Sequence, residues 1–237
     1  MPRRGKPAKR EKLSRERIEE AALELIDRDG VDGFSTRKLA ADLGCEAMSI
    51  YHYFPSKVHL TDALVDRFIE DVGLSDPKLA PLDRIRRLAI DYRKAALRHP
   101  NFYQVIATHR LNTPTGLRWI NGVLEIIAAL GFDVETRARL FRVLGYYISG
   151  AALDETLGYG RGPSAAEPVS DAIAARDFPE AAAVNPYFKA AHHEATFLAG
   201  LDILLKGVAD APKKARPAAG VRRGGGRPSR SSRSSSR

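Results

Sequence analysis

Apolar residues recur along this chain with the 3.6-residue period of helices, not with the alternation of strands. Ile18, Ala21, Ala22, Leu25 and Ile26 stand at i, i+3, i+4, i+7 and i+8, one stripe of a helix that Ser14 is placed to cap and that Asp29-Gly30 stops. In "FSTRKLAADLG", Ser35 caps a second helix, Phe34 and Leu39 occupy the two positions of a hydrophobic staple, and Gly44 supplies the left-handed residue that ends it. A third short helix follows in "EAMSIYHYFPSK". Its Ile50 and Phe54 are the only large apolar pair facing one way, and Pro55 stops it. Ser56 caps a fourth helix, on which Leu60, Leu64 and Phe68 form a longer stripe up to Gly73.

Beyond "SDPKLAP" the periodic segments lengthen. Leu82, Ile85, Leu88, Ala89 and Tyr92 predict one helix to His99-Pro100, and a brief one runs from Phe102 to Thr108. Leu117, Ile120, Val123, Leu124, Ile127 and Leu130 predict another, ended by Gly131; from Asp133 a further one, with Ala138, Phe141, Leu144, Ile148 and Ala152, continues to about Thr156. Residues 159–183 read as a loop with one turn of helix, and Pro186 to Gly207 as a last helix. No strand alternation and no Asn-Gly hairpin signal occurs. The expected fold is all-α: a three-helix head (13–60) joined by the fourth helix to a larger bundle (61–210), with a basic disordered arm at 1–12 and a basic Gly/Ser/Arg disordered tail at 211–237.

Composition sharpens this picture in two places. With 44% hydrophobic residues the chain can bury a core, and it has neither a long apolar run nor a signal-peptide pattern, so it is expected in the cytoplasm with no membrane segment. Cys45 is the only cysteine, which excludes an internal disulfide and a cysteine-rich zinc site. The formal charge of +9 lives in the ends: residues 1–12 carry six Lys/Arg against Glu11, and 213–237 carry nine against none, so the body between them is net negative. Charge placed this way is a solvated-tail signature first, with nucleic acid or an anionic membrane surface as possible partner.

A short helix, a tight Gly-containing turn and a second short helix with polar residues outward make a helix-turn-helix arrangement. Ile50 and Phe54 hold the third helix inward, while Ala47, Met48, Ser49, His52 and Tyr53 lie off that side and can face a major groove. Thr36 and Arg37 sit at a helix start that favours a phosphate, and Lys57 offers the same on the other flank.

At these residues the chain resembles a known family. "FSTRKLAADLGCEAMSIYHYFPSKVHLTDAL" is similar to the DNA-binding head of the tetracycline-repressor (TetR) family over about residues 14–65. The resemblance implies that Thr36 and Arg37 meet the DNA backbone or a nearby base, that Ala47, Met48, Ser49 and His52 meet base edges, and that Tyr51, Tyr53 and Lys57 meet phosphates, with Phe54 in the core. "GFDVETRARLFRVLGYYISGAALDE" and "HHEATFLAGLDILLKGVA" are similar to the two C-terminal helices that pair between subunits in the tetracycline-type branch. The expected dimer face follows Ala138 to Thr156 and Glu194 to Gly207, where Gly145, Gly150, Ala151 and Gly200 allow close approach.

The chain also departs from that branch. Ala47 and Met48 stand where a polar reader is common, so contacts there are expected to be apolar, as with thymine methyls. The branch's tetracycline–magnesium site uses a histidine and an acid; with a shift in alignment His109 and Asp154 or Glu155 fall near those places, and tetracycline itself is not carried over. Residues 13–60 hold six Lys/Arg and nine Asp/Glu, but most of the acids fall on the first helix and its turn. The basic arm is therefore expected to add phosphate contacts.

Other chemistry is poorly supported. Tyr53-x-x-x-Lys57 matches a dehydrogenase pair, but no Gly-rich dinucleotide turn accompanies it. His192 and His193, being adjacent on a helix, point about 100° apart and do not share an ion easily. No catalytic set, cofactor or metal site is predicted. Tyr92, Phe102, Tyr103, Trp119, Tyr146 and Tyr147 are expected mostly in the core, some of them lining an effector cavity together with His109 and Asp154. The expected function is a homodimeric, ligand-responsive DNA-binding regulator that represses from a palindromic operator in double-stranded DNA and is released by a small molecule. The competing class is an architectural or non-specific nucleic-acid binder driven by the basic tails.

Overall fold

Three serines set the register of the head. In the computed structural model, which describes residues 12–158 and 165–212, Ser14 accepts from Arg17 N, Ser35 from Lys38 N and Ser56 from His59 N, each closing the open first turn of a helix. The helices so started are α1 (Arg15–Asp29), α2 (Thr36–Leu43) and α4 (Lys57–Val72). Gly44 ends α2 at φ 64°, a left-handed conformation that costs glycine nothing, and its N–H returns to Ala40 and Ala41 carbonyls. Between them lies α3 (Ala47–Tyr51), shorter than the sequence pattern suggested. It ends at His52 because Phe54 precedes Pro55, and a residue before proline avoids helical backbone. Ile50 and Phe54 are buried in the same core as Ile18, Leu25 and Leu39.

The body follows as α5 (Pro81–Arg98), α6 (Pro100–Thr108), α7 (Pro114–Ala128) and α8 (Val134–Leu157), then α9 (Asp171–Asp177), α10 (Pro179–Val184) and α11 (His193–Asp210). Proline opens α5, α6 and α7 at the first helical position, where its missing N–H is no loss, so these helices start one to three residues earlier than their apolar stripes. Helix α4 runs from the head into the body, packing on α1, α5 and α7, while α8 lies against α5, α6, α7 and α11. All the described regular structure is helical, and no described helix is long and apolar enough to cross a membrane.

Two expectations are corrected. The stretch read as a loop with one turn, 159–183, contains both α9 and α10 among its described residues; Ser170 caps α9 by accepting from Ile173 N. These helices bury no residue and pack on each other, so no apolar stripe announced them. The helix expected from Pro186 begins only at His193, preceded by two 3₁₀ turns over Asn185–Phe188 and Ala190–His192. The expected arm and tail lie, apart from Lys12, Ala211 and Pro212, outside the described residues.

Candidate nucleic-acid interface and effector core

The outward side of the head is built by difference. Acids at the end of α1 are matched by local cations: Arg28 reaches Asp29 and Asp42 (2.8 Å to the latter), and Lys38 reaches Asp29 at 3.0 Å. Hydrogen bonds from Lys38, and then Arg28, hold the Asp29 carboxyl below its usual range. Apart from Glu46, the exposed N-cap of α3, the acids of the head thus lie off that helix. There Met48 is 64% exposed, Tyr51, His52, Arg37 and Lys57 are exposed, and Thr36, Ala47 and Ser49 are half-buried.

Tyr53 behaves differently from its neighbours. Its hydroxyl donates to the Leu13 carbonyl at 2.8 Å, and Arg15 Nη1 donates to the Tyr53 carbonyl at 2.8 Å while its guanidinium lies 4.3 Å from the Phe54 ring centre. The phenol proton is committed to the start of α1, so Tyr53 cannot donate it to a phosphate without breaking that bond. Sequence reading missed this link because its partner stands 40 residues away. Lys57 Nζ sits 5.1 Å over the Phe34 ring and 3.5 Å from the Phe34 carbonyl, on the same flank as the start of α2.

Head and body are joined by carboxylates that no local pattern announced. Asp27 on α1 accepts from the first turn of α6, with His99 Nδ1 at 2.7 Å from Oδ2 and Asn101 N at 3.2 Å from Oδ1, while the Asn101 side chain donates to the Asp27 carbonyl at 2.8 Å. At the far end of α6, His109 Nε2 lies 3.0 Å from Asp62 on α4, and Thr113 donates to Asp66 at 2.5 Å. Helix α6 is therefore held at its start by α1 and at its end by α4. The indole N–H of Trp119 donates at 2.7 Å to the Gly73 carbonyl, just past the last turn of α4.

Of the eight body residues expected around an effector, three gather. Tyr92, Tyr103 and Trp119 meet Phe68 in one aromatic cluster, with centroid distances of 5.2 Å (Phe68–Tyr92), 6.0 Å (Tyr92–Tyr103) and 6.4 Å (Tyr92–Trp119). The Tyr92 and Tyr103 hydroxyls are 3.3 Å apart, with Ser149 of α8 near both. Burial pushes both phenols above their ordinary value, so both stay neutral at physiological pH. Phe68 and Ser149 were not anticipated; Phe68 reads as ordinary stripe and Ser149 as an ordinary polar position.

The other five fall elsewhere. Phe102 is buried core; His109 belongs to the α4 junction; Tyr146 and Asp154 are exposed on α8. Tyr147 donates to the Phe197 carbonyl at 2.6 Å and stacks on its ring at 5.7 Å, fastening α8 to α11. A side chain at Gly200 would meet the Tyr147 hydroxyl at 2.3 Å, so Gly200 makes room for packing within its own chain. Gly145, Gly150 and Gly207 face open space. Glu155 is half-buried with both oxygens on Arg93 (2.6 and 2.7 Å). His109, Asp154 and Glu155 thus answer to separate surroundings, and they do not fit a shared magnesium site.

Comparison with known proteins follows these two regions. Residues 18–64 match the family model described as bacterial regulatory proteins, tetR family, and residues 76–211 match the tetracyclin repressor-like C-terminal domain. An HTH-type transcriptional repressor, DrrR1, of Streptomyces coeruleorubidus is 31% identical over 59% of this chain, which spans only 53% of that repressor. The class A tetracycline repressor from transposon 1721 of Escherichia coli is 27% identical over 90% of this chain and 98% of its own length. Among solved structures, a possible TetR-family regulator from Streptomyces coelicolor A3(2) superimposes with a TM-score of 0.67 at 27% identity, covering 82% of this chain and 98% of that one.

Proposed function

The chain belongs to the tetracycline-repressor family of bacterial transcriptional regulators, and on that premise we propose that it represses as a homodimer, holding a palindromic operator through α3 and releasing it when a small molecule enters the C-terminal bundle. The observation that carries this reading is the outward face of α3, which beyond its N-cap Glu46 has no acid and is exposed at Met48, Tyr51 and His52 while Ile50 and Phe54 close its inner side. In this reading residues 13–60 are the DNA-binding head and 61–210 the effector and dimer body. Thr36 and Arg37 take a phosphate or nearby base, Ala47, Met48, Ser49 and His52 meet base edges, and Tyr51 and Lys57 meet phosphates. Tyr53 contributes indirectly, by fixing the start of α1 through Leu13.

A palindrome requires two heads about one DNA turn apart, roughly 34 Å. The surface favoured for pairing is the outer side of α8 and α11, where Val143, Tyr146 and Ile203 are exposed and Gly145, Gly150 and Gly207 leave room. An effector that binds better to a state with differently spaced heads depletes the operator-bound state. The path supported by the geometry is α6, tied to α1 and α4 at its two ends. Acting on chromosomal DNA, such a regulator works in the cytoplasm.

Selecting genomic fragments bound by the purified protein, followed by footprinting, tests the reading. A discrete dyad-symmetric footprint is expected, and it should survive deletion of 213–237. Protection without boundaries that vanishes with the tail would mark an architectural binder instead, and a monomer in sedimentation at micromolar concentration would remove the dimer.

A further inference from the structure

Helix α5 has two unlike sides. Ile85, Leu88, Ala89 and Ala96 are buried in the bundle, while Arg87, Asp91, Lys94 and Arg98, three or four residues apart, share the opposite side of the helix. There α5 runs beside the end of α4, and an open groove of about 630 Å³ lies between them. Its apolar lining is Val72, buried in the last turn of α4, and Leu97 of α5, which is 37% exposed. No ring of the aromatic cluster lines it, so the groove is separate from the interior of the bundle.

The charges around this groove do not cancel. Arg87 Nε donates to Asp91 at 2.7 Å, and Arg98 Nη1 donates to Asp71 of α4 at 3.1 Å. Both acids of the lining are thus committed to arginines. Lys94 is the third cation, and no hydrogen bond or ion pair to it occurs among the described residues. A cationic ligand would meet three like charges here, and a neutral one would leave the ammonium unanswered. A carboxylate gains a charge-assisted bond at Lys94, while an apolar body behind it removes Leu97 and Val72 from water. The volume is that of a site for one small organic molecule.

We propose that this groove between α4 and α5 is a binding site for an amphipathic monoanion, a small organic acid whose carboxylate takes Lys94 and whose apolar body lies over Leu97 and Val72. The site goes beyond the regulator reading and does not depend on it. Its charge is adjustable at one position: Asp91 neutralises Arg87, so a chain without that acid offers the carboxylate a second cation. Asp71 and Val72 belong to the last turn of the helix that runs up from the head, so an occupied groove joins the Arg98–Asp71 bond as a brace between α4 and α5.

The test titrates the full-length protein, labelled at its leucine and valine methyls for NMR, with 4-phenylbutyrate, and in parallel with the neutral 4-phenylbutyramide and the cationic 4-phenylbutylamine. Saturable shifts of the Leu97 and Val72 methyls are expected with the carboxylate, with the amide and the amine each about fivefold weaker or worse, and added salt should loosen the carboxylate alone. Lys94→Gln should weaken the carboxylate about fivefold, whereas Lys94→Arg should hold it within about twofold. Asp91→Asn, which releases Arg87, should tighten it about threefold, and Lys189→Gln, on the exposed segment, should leave it unchanged. Thermal unfolding verifies that each variant is folded. No saturable shift at Leu97 and Val72 up to about 10 mM carboxylate, equal or tighter binding of the amide or amine, or indifference to both Lys94→Gln and Asp91→Asn overturns the proposal. Such a failure leaves the regulator reading standing, since genomic selection tests that reading without any of these probes.

Discussion

His52 and Tyr53 are adjacent, yet their surroundings divide them: His52 is exposed at the end of α3, and Tyr53 is tied through its hydroxyl to Leu13. Tyr53→Phe is expected to lose one net hydrogen bond, about 0.5–1.5 kcal/mol of head stability, and to weaken binding to all DNA sites alike. His52→Ala should leave stability nearly unchanged and alter which site is preferred, as parallel binding to a panel of operator variants will measure. The outward side of α3 was legible because the residue types and the Gly44 turn fix which side of a short helix faces out. The Tyr53–Leu13 bond was not, since only the fold brings residues 40 apart together. The same holds for Arg93 and Glu155, 62 apart. Glu155→Ala, which leaves the half-buried Arg93 guanidinium without its carboxylate, should cost about 1–3 kcal/mol in denaturant unfolding, and Arg93→Met combined with Glu155→Met should recover much of it.

At the scale of elements, helix starts were the most readable feature. Ser14, Ser35 and Ser56 cap as their positions predicted, because the side-chain oxygen and its acceptor role are local. Elements without an apolar stripe escaped notice: α9 and α10 bury nothing, so periodicity had nothing to register. Glycines were ambiguous for another reason, since a small residue on a helix face permits close approach by any neighbour. Gly200 turned out to admit Tyr147 of its own chain, and Gly145 remains open. Gly200→Ala should therefore lower thermal stability by about 1–3 kcal/mol at any protein concentration. Gly145→Arg should instead weaken self-association in sedimentation while sparing the fold.

For the molecule as a whole, the all-helical head-plus-bundle architecture was legible, but the gathering of one aromatic cluster inside the bundle was not. Three of eight expected residues meet, because a helical stripe does not say which of its rings reach a common centre. That cluster gives the protein a pH signature. Tyr92 and Tyr103 have folded-state values raised above about 10, the value both recover on unfolding. Above that pH the unfolded chain sheds protons that the folded chain retains, so stability is full below about pH 10 and falls as pH rises further. Tyr92→Phe combined with Tyr103→Phe should flatten this alkaline decline in unfolding curves recorded from pH 8 to 11.

The stretch from Val169 to Phe188 displays six apolar side chains to solvent, and its helices pack chiefly on each other and on the 3₁₀ turn that follows. Opening it exposes little that is not already wet, so its local unfolding is cheap compared with that of the bundle. Trypsin should consequently cut after Arg176 or Lys189 before it attacks any site in α5 or α8, and the nicked protein should keep its fold. The lifetime of that segment under protease then becomes a clock for whatever covers it: a second subunit, an effector or an operator-bound assembly would each lengthen it, and the ratio of lifetimes would give the free energy of covering directly.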